Sequence, residues 1–321
     1  MNPNHKTAAT WCQNAKIAVH YLLPQLGFTR LAGWFADKKW GKLTHAAIQL
    51  FAKKYGINWQ EAAKSEAKDY ASFNEFFIRQ LKDGARPIDD NPAHLCLPAD
   101  GKVSEAGQIE RGLLLQAKGH FFTLDALLAN DADLVQKMQN GSFLTTYLSP
   151  KDYHRVHMPC RGVLRKMVYV PGDLFSVNPF LAQHIPNLFA RNERVICEFD
   201  TEFGSMVQIL VGATITASIS TVWAGIINPP RAKEVKTWTY PADGTSAIVL
   251  EKGQEMGAFR LGSTVINVFA ENSVQLAEHL QAGVAVKMGE TMAKSVSIVE
   301  STETANETVN ETASDTPSEN A

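Results

Sequence analysis

Three stretches of the 321-residue chain set titratable or nucleophilic side chains beside turn residues: Pro98-Ala99-Asp100-Gly101, residues 147–159 with His154 and His157, and residues 252–264. The last of these ends in Leu261-Gly262-Ser263-Thr264. An Asp, a His and a Ser from three separate loop or strand-end positions are the set needed to activate a hydroxyl. Taken alone, that set suits a serine hydrolase as readily as any other hydroxyl chemistry. Each motif also has a plainer reading. Asp-Gly more often closes a hairpin, and Gly-Ser occurs three times, at Gly141, Gly204 and Gly262. Ser263 is not in a G-x-S-x-G elbow, because Thr264-Val265 follows it. A serine inside a β segment, with glycine before it, is poorly placed to attack an outside ester. It is well placed to attack its own preceding carbonyl.

Helices must build the front of the chain and strands the rest. Residues 16–39 mix Leu22, Leu23, Leu26, Phe28, Leu31, Trp34 and Phe35 with Lys16, Arg30, Lys38 and Lys39. Pro24 and Gly27 are expected to break this run into two short pieces. Trp11, Trp34 and Trp40 are half of the six tryptophans, and rings with cations suit a helix lying in a headgroup layer. An ordinary helical pair packed on the core is an equal reading of the same residues. Asn58 with Glu61, and Ser72 with Glu75, read as capping boxes opening helices toward Ala67 and Phe76-Phe77-Ile78. Beyond Pro98 the texture changes to β-rich runs at 143–148, 163–170, 194–199, 207–211, 247–250 and 265–269. Turn signals such as Pro171-Gly172-Asp173 and Asp243-Gly244 separate them. The expected fold class is α+β, with N-terminal helices followed by a mainly antiparallel β body.

Charge is unevenly spread. Residues 300–321 hold six acids, no bases and almost nothing apolar, and read as a disordered tail. The two N-x-T sequons at Asn306 and Asn310 fall there and are read as accidents of composition. Without the tail, 31 basic residues face 27 acidic ones. The first 55 residues carry eight Lys or Arg against Asp37 alone. That patch is too local for a nucleic-acid protein and suits an anionic membrane surface. Cys12, Cys96, Cys160 and Cys197 form no C-x-x-C pair, so neither a zinc site nor a disulfide framework is expected. No signal peptide is read at the N-terminus, and no apolar run reaches the 18 residues a spanning helix needs.

Leu261-Gly262-Ser263-Thr264, preceded by Lys252-Gly253-x-Glu255-x-Gly257-x-Phe259, resembles the processing site of the bacterial and mitochondrial phosphatidylserine decarboxylases. Tyr153-His154-Arg155-Val156-His157-Met158-Pro159, Phe73-Asn74-Glu75-Phe76-Phe77-Ile78-Arg79 and Pro98-Ala99-Asp100-Gly101 are similar to other stretches of that family, and the motifs occur in the family's order. The likeness spans about residues 60–290, and the amphipathic front resembles the membrane-binding helices of the bacterial members. The expected regions are a membrane-associating helical part over 1–70, a catalytic domain over 71–299 and the tail over 300–321, which has no counterpart in the family pattern and is assigned no role.

The resemblance further implies a self-cutting enzyme. Ser263 would attack the Gly262 carbonyl, the held nucleophile being next to its target, and glycine would tolerate the strain. β-Elimination and hydrolysis would then leave a pyruvoyl group derived from Ser263, on a fragment 263–321 partnered with fragment 1–262. By the same resemblance His157 is the base, Asp100 orients it, and His154 serves acid/base work during turnover. Ser149-Pro150-x-Asp152 is read as the start of a helical turn that lets the two histidines point apart. The substrate implied is phosphatidylserine, joined through its amine as a Schiff base to the pyruvoyl ketone. A peripheral enzyme at the cytoplasmic face of the cell membrane, homo-oligomeric, without metal and without nucleic acid, completes the expectation. A non-enzymatic β-sandwich on a helical membrane base is the rival reading, and it would leave the chain uncut.

Overall fold

A computed structural model describes residues 17–18, 20–21, 24–117, 119–214, 218–228, 232–260 and 263–296. Trp11, Leu22, Leu23, Leu261, Gly262 and the tail 300–321 lie outside the described residues.

Two helices open the described chain, α1 (Gln25–Asp37) and α2 (Lys42–Tyr55). Gly27 does not break α1. It lies in the first turn, where backbone N–H groups lack intrahelical partners in any case, and Pro24 occupies the cap. Each helix buries only a narrow stripe of mostly small residues: Thr29, Gly33 and Ala36 on α1; Thr44, Ile48 and Ala52 on α2. Apart from Ile48, and from Phe51, which packs on Phe73, Phe76 and Phe77, their large apolar side chains are exposed. A third helix, α3 (Phe73–Phe77), starts where Ser72 Oγ accepts the Glu75 N–H at 3.1 Å. The expected helix from Asn58 to Ala67 does not form. Asn58 Oδ1 instead accepts the Gln60 N–H in a local turn, and the Glu61 carboxylate is spent on Arg86. Only a 3₁₀ turn at Ala67–Asp69 remains of it.

The β body contains β1 (Gly101–Gln108), β2 (Ser142–Leu148), β3 (Arg155–His157), β4 (Gly162–Val170), β5 (Arg194–Thr201) and β6 (Gly204–Val211). It continues with β7 (Ser218–Thr221), β8 (Gly225–Asn228), β9 (Lys236–Thr239), β10 (Glu255–Arg260), β11 (Ser263–Phe269) and β12 (Ala285–Val286). The main sheet has the order β9-β4-β5-β6-β11-β2-β1-β12, and a second sheet runs β8-β7-β10-β3. Every pairing of these strands is antiparallel. Of the run expected at 247–250, only Val249–Leu250 pairs, against β4.

Strand β11 explains the main sheet's composition. It is paired on both edges, with β2 and β6, and all seven of its residues are buried. A strand covered on both faces tends to a near-continuous apolar run rather than alternation, and here Val265, Ile266, Val268 and Phe269 supply it while Ser263, Thr264 and Asn267 are buried polar exceptions. Its alternating side chains feed two cores. Val265 and Phe269 join the core that also holds Val156, Met158 and Phe259 of the second sheet. Ile266 and Val268 join the other, capped by Leu124, Leu181 and Leu188 of short helical turns.

Candidate active site

Ser263 is the first residue of β11, in register with Leu148 of β2. It is fully buried, and its Oγ has no hydrogen-bond partner among the described residues. By strand alternation it shares a face with Val265. Farther along that face, Asn267 stands opposite Gln208, and both bury polar atoms without partners, as does Thr146 opposite Val265. Buried polar groups are normally satisfied, so an orphaned hydroxyl beside Gly262 marks a place where folding is not the only demand. So buried, the hydroxyl is not presented to an outside ester, which speaks against the hydrolase reading. The Gly262 carbonyl itself lies outside the described residues.

His157 ends β3. Its backbone N–H donates to Pro98 O at 2.8 Å, which ties the Pro98–Gly101 stretch alongside. Gly101 is required there, since a Cβ would meet Tyr147 O at 2.3 Å. The imidazole donates from Nδ1 to Gly253 O at 2.8 Å, and Nε2 accepts from the Tyr153 hydroxyl at 3.0 Å. A carbonyl can only accept, so the proton sits on Nδ1 and the lone pair on Nε2. Gly253 adopts a positive φ of 75° to turn its carbonyl this way. Burial lowers the His157 pKa below its ordinary value, against the opposing pull of the Gly253 carbonyl, Glu255 and Asp100.

Asp100 does not make the hydrogen bond to His157 that a triad would contain. Its carboxylate is forked by Arg86, Nε to Oδ1 at 2.9 Å and Nη2 to Oδ2 at 2.5 Å, while the Met288 N–H donates to Oδ1 at 3.0 Å. Arg86 also reaches Glu61 at 2.7 Å. A buried carboxylate takes its nearest cation and backbone donor first, so Asp100 acts on His157 only through its field.

His154 occupies a different setting. It is fully buried, stacked on Phe77 with ring centroids 4.1 Å apart, and its Nε2 donates to Ser149 O at 3.0 Å. Ser149 follows Leu148, the register partner of Ser263. Its proton is on Nε2, and the buried Nδ1 has no partner among the described residues. Burial first, and the Arg79 cation second, push its pKa down to about 3. The expected helical turn at Ser149 is instead a tight turn closed by Asp152, whose Oδ2 accepts from Ser149 N and Oγ. The two histidines do point apart, as their partners show.

Hydrogen bonds thus do not link Ser263, His157 and Asp100 into a triad; Ser263 heads a strand of the main sheet, His157 ends a strand of the second, and His154 is tied to Ser149, the residue after the register partner of Ser263. Arg86 carried no sequence signal, because its partners are 14 and 25 residues away. Tyr153, Phe77 and Arg79 lay inside recognisable motifs, but nothing in the spacing told which of them touch a histidine. Among the described residues no group of His, Cys, Asp and Glu could hold a metal ion. Two neutral imidazoles with their lone pairs on different nitrogens can move protons to and from a buried hydroxyl's surroundings.

The sequence model of the phosphatidylserine decarboxylase family matches residues 73–294, and a second model, described as PSD, matches residues 15–56. The phosphatidylserine decarboxylase proenzyme of Actinobacillus pleuropneumoniae serotype 5b (strain L20) is 68% identical over 287 residues, covering 89% of this chain and 97% of the relative. The proenzyme of the same name from Haemophilus influenzae (strain ATCC 51907 / DSM 11121 / KW20 / Rd) is 67% identical, covering 89% and 98%. That of Pasteurella multocida (strain Pm70) is 66% identical, covering 90% and 97%.

Proposed function

The chain belongs to the phosphatidylserine decarboxylase family, and we propose that it cuts its own backbone between Gly262 and Ser263, then converts phosphatidylserine to phosphatidylethanolamine. The observation that carries the site assignment is the buried, unpartnered hydroxyl of Ser263 at the head of β11. Such a hydroxyl has one carbonyl within covalent reach, its own neighbour's, and attack on it shifts the amide to an ester. Removal of the Ser263 α-proton then expels the Gly262 carboxylate. The dehydroalanine left behind tautomerises, and water releases ammonia.

Ser263 fits the precursor of a pyruvoyl group, since among the described residues no hydrogen-bond partner competes for its oxygen. That group supplies a ketone able to take up the electron pair freed as CO₂ departs. His157 is assigned the proton transfers of self-cleavage: Gly253 O keeps its proton on Nδ1, so Nε2 is the base. Asp100, neutralised in part by Arg86, still favours the imidazolium that forms. His154 is assigned proton transfer in turnover, where its buried Nδ1 is the free lone pair. After cleavage the fragment 263–321 keeps β11 between β2 and β6, so backbone pairing along both edges holds the two fragments together.

We assign α1 and α2 to an anionic bilayer. Leu31, Trp34 and Leu50 are 62%, 53% and 70% exposed, and Leu26, Phe28, Phe35 and Leu43 are exposed with them. Arg30, Lys38, Lys39, Lys42, Lys53 and Lys54 accompany this face. Asp37, the one acid of this region, stays largely exposed but accepts from Asn74 at 2.6 Å and pairs with Arg260 at 3.7 Å. Arg260 lies three residues before Ser263, so the apolar face is anchored beside the reacting strand. No described helix is long and apolar enough to cross a membrane, and an in-plane position at the cytoplasmic leaflet suits rings and cations together.

Denaturing electrophoresis of fresh, active protein tests the core of this reading. Fragments of 262 and 59 residues are expected, with a blocked N-terminus on the smaller by mass spectrometry. Ser263→Ala should stay whole and inactive; a single full-length band from active protein overturns the assignment. Flotation with phosphatidylglycerol vesicles tests the membrane face, where Leu31→Glu combined with Trp34→Glu should abolish binding and added salt should weaken it.

A further inference from the structure

Arg79 is 6% exposed, yet none of its nitrogens meets a carboxylate within ion-pair distance among the described residues. Its Nη2 donates to Lys151 O at 3.0 Å and Asp152 O at 3.2 Å, while Nε and Nη1 are buried without partners. A buried cation without a direct ion pair is costly, and the Phe76 ring 5.6 Å from the guanidinium, with the longer-range pull of Asp100, Asp152 and Glu61, offsets only part of that. What the guanidinium does is hold two carbonyls of one tight turn. In that turn Ser149 O accepts from both Asp152 N and His154 Nε2. The acceptor that fixes the His154 tautomer is therefore a part of the turn that Arg79 clamps.

The two residues before Arg79 act on the same target. Phe77 stacks on the His154 ring at 4.1 Å with 27° between planes. Ile78 O accepts from Arg155 Nε at 2.8 Å, which ties the end of α3 to the strand that follows His154. Ring, strand and turn are each held by one of three consecutive residues. His157, three residues on, is held by Gly253 and Tyr153 and takes no hydrogen bond or ring contact from this segment.

We infer that Phe77, Ile78 and Arg79 form a positioning unit for His154, so that Phe77 and Arg79 govern decarboxylation through that imidazole and leave self-cleavage at Ser263 alone. This rests on the assignment of His154 to turnover. Both are positioning residues, since neither contacts Ser263.

The test uses the full-length enzyme labelled with ¹⁵N-histidine and the variants Arg79→Gln, Phe77→Leu, Arg79→Lys and His154→Gln. Arg79→Gln and Phe77→Leu are expected to cut to completion, to lower kcat for phosphatidylserine about 10²-fold, as misplacing a reacting group does, and to leave KM unchanged. In both, the His154 ring signals should shift from one Nε2–H tautomer to a mixture, while the His157 signals stay in place. Arg79→Lys should restore part of kcat and of the tautomer preference. An unchanged kcat in both variants overturns the inference, as does a fall in kcat with the His154 signals undisturbed, or a loss of cleavage in both. Full turnover by His154→Gln would instead overturn the assignment of His154, and the ring signals would still decide whether Arg79 and Phe77 position it.

Discussion

His154 and His157 are three residues apart and live in opposite environments. His154 is fully buried, stacked on an aromatic ring and within the field of the Arg79 cation, with its proton on Nε2 and its pKa pushed down to about 3. His157 stands in a charged, hydrogen-bonded surround of Gly253, Tyr153, Glu255 and the Arg86–Asp100 pair, with its proton on Nδ1. An apolar shell keeps a base neutral and available but gives no help to the cation it becomes; a nearby carboxylate gives that help. Two bases three residues apart are thereby given different surroundings and different directions.

The sharpest way to break this comparison is to remove each ring in turn. His157→Ala should slow self-cleavage by about 10²- to 10⁴-fold, read as the lifetime of the uncut chain. His154→Ala should cut normally and lose turnover on a similar scale, measured by CO₂ release from the processed enzyme. If both variants fail at the same step, the division of labour is wrong.

Next in size is Arg86. Its removal leaves Asp100 and Glu61 facing each other without their cation, and Asp100 is buried. Arg86→Ala should destabilise the fold by about 3–5 kcal/mol, seen in urea unfolding of the Ser263→Ala background, where cleavage does not intervene. It should also slow cleavage through the altered field at His157.

Acid should then distinguish the two histidines. Both pKa values are lowered in the fold, so the unfolded chain takes up protons first as pH falls. Their contribution to stability is fully present above about pH 6.5 and is lost as pH falls toward the folded values. For His154 the loss runs down to about pH 3. His154→Phe should flatten the acid limb of stability more than His157→Phe does. The smallest effect expected is that of Tyr153→Phe. It removes one neutral hydrogen bond to Nε2, worth about 1 kcal/mol, and should raise the His157 pKa slightly in an NMR titration.

Much of the β body was legible because β11, β2, β5 and β6 carry runs dominated by apolar or β-branched residues, broken only by isolated polar ones such as Asn267, Glu198 and Gln208. The Asn58 helix was misread because a capping pattern is local, whereas Glu61 answers to Arg86, 25 residues away. Gly27 was misread as a breaker because its cost is small in a first turn.

Sequence by itself determined the pair Gly262-Ser263, the two histidines and the charged, aromatic front, because covalent neighbours and side-chain chemistry are local properties. The family likeness was legible for the same reason. Only the tertiary structure decided that Arg86 rather than His157 claims Asp100, that Phe77 stacks on His154 while Arg79 holds the turn beside it, and that the two imidazoles carry opposite tautomers. Those outcomes depend on which acceptor or counter-charge folding brings nearest, and contacts across 72 or 96 residues of chain leave no periodicity to read.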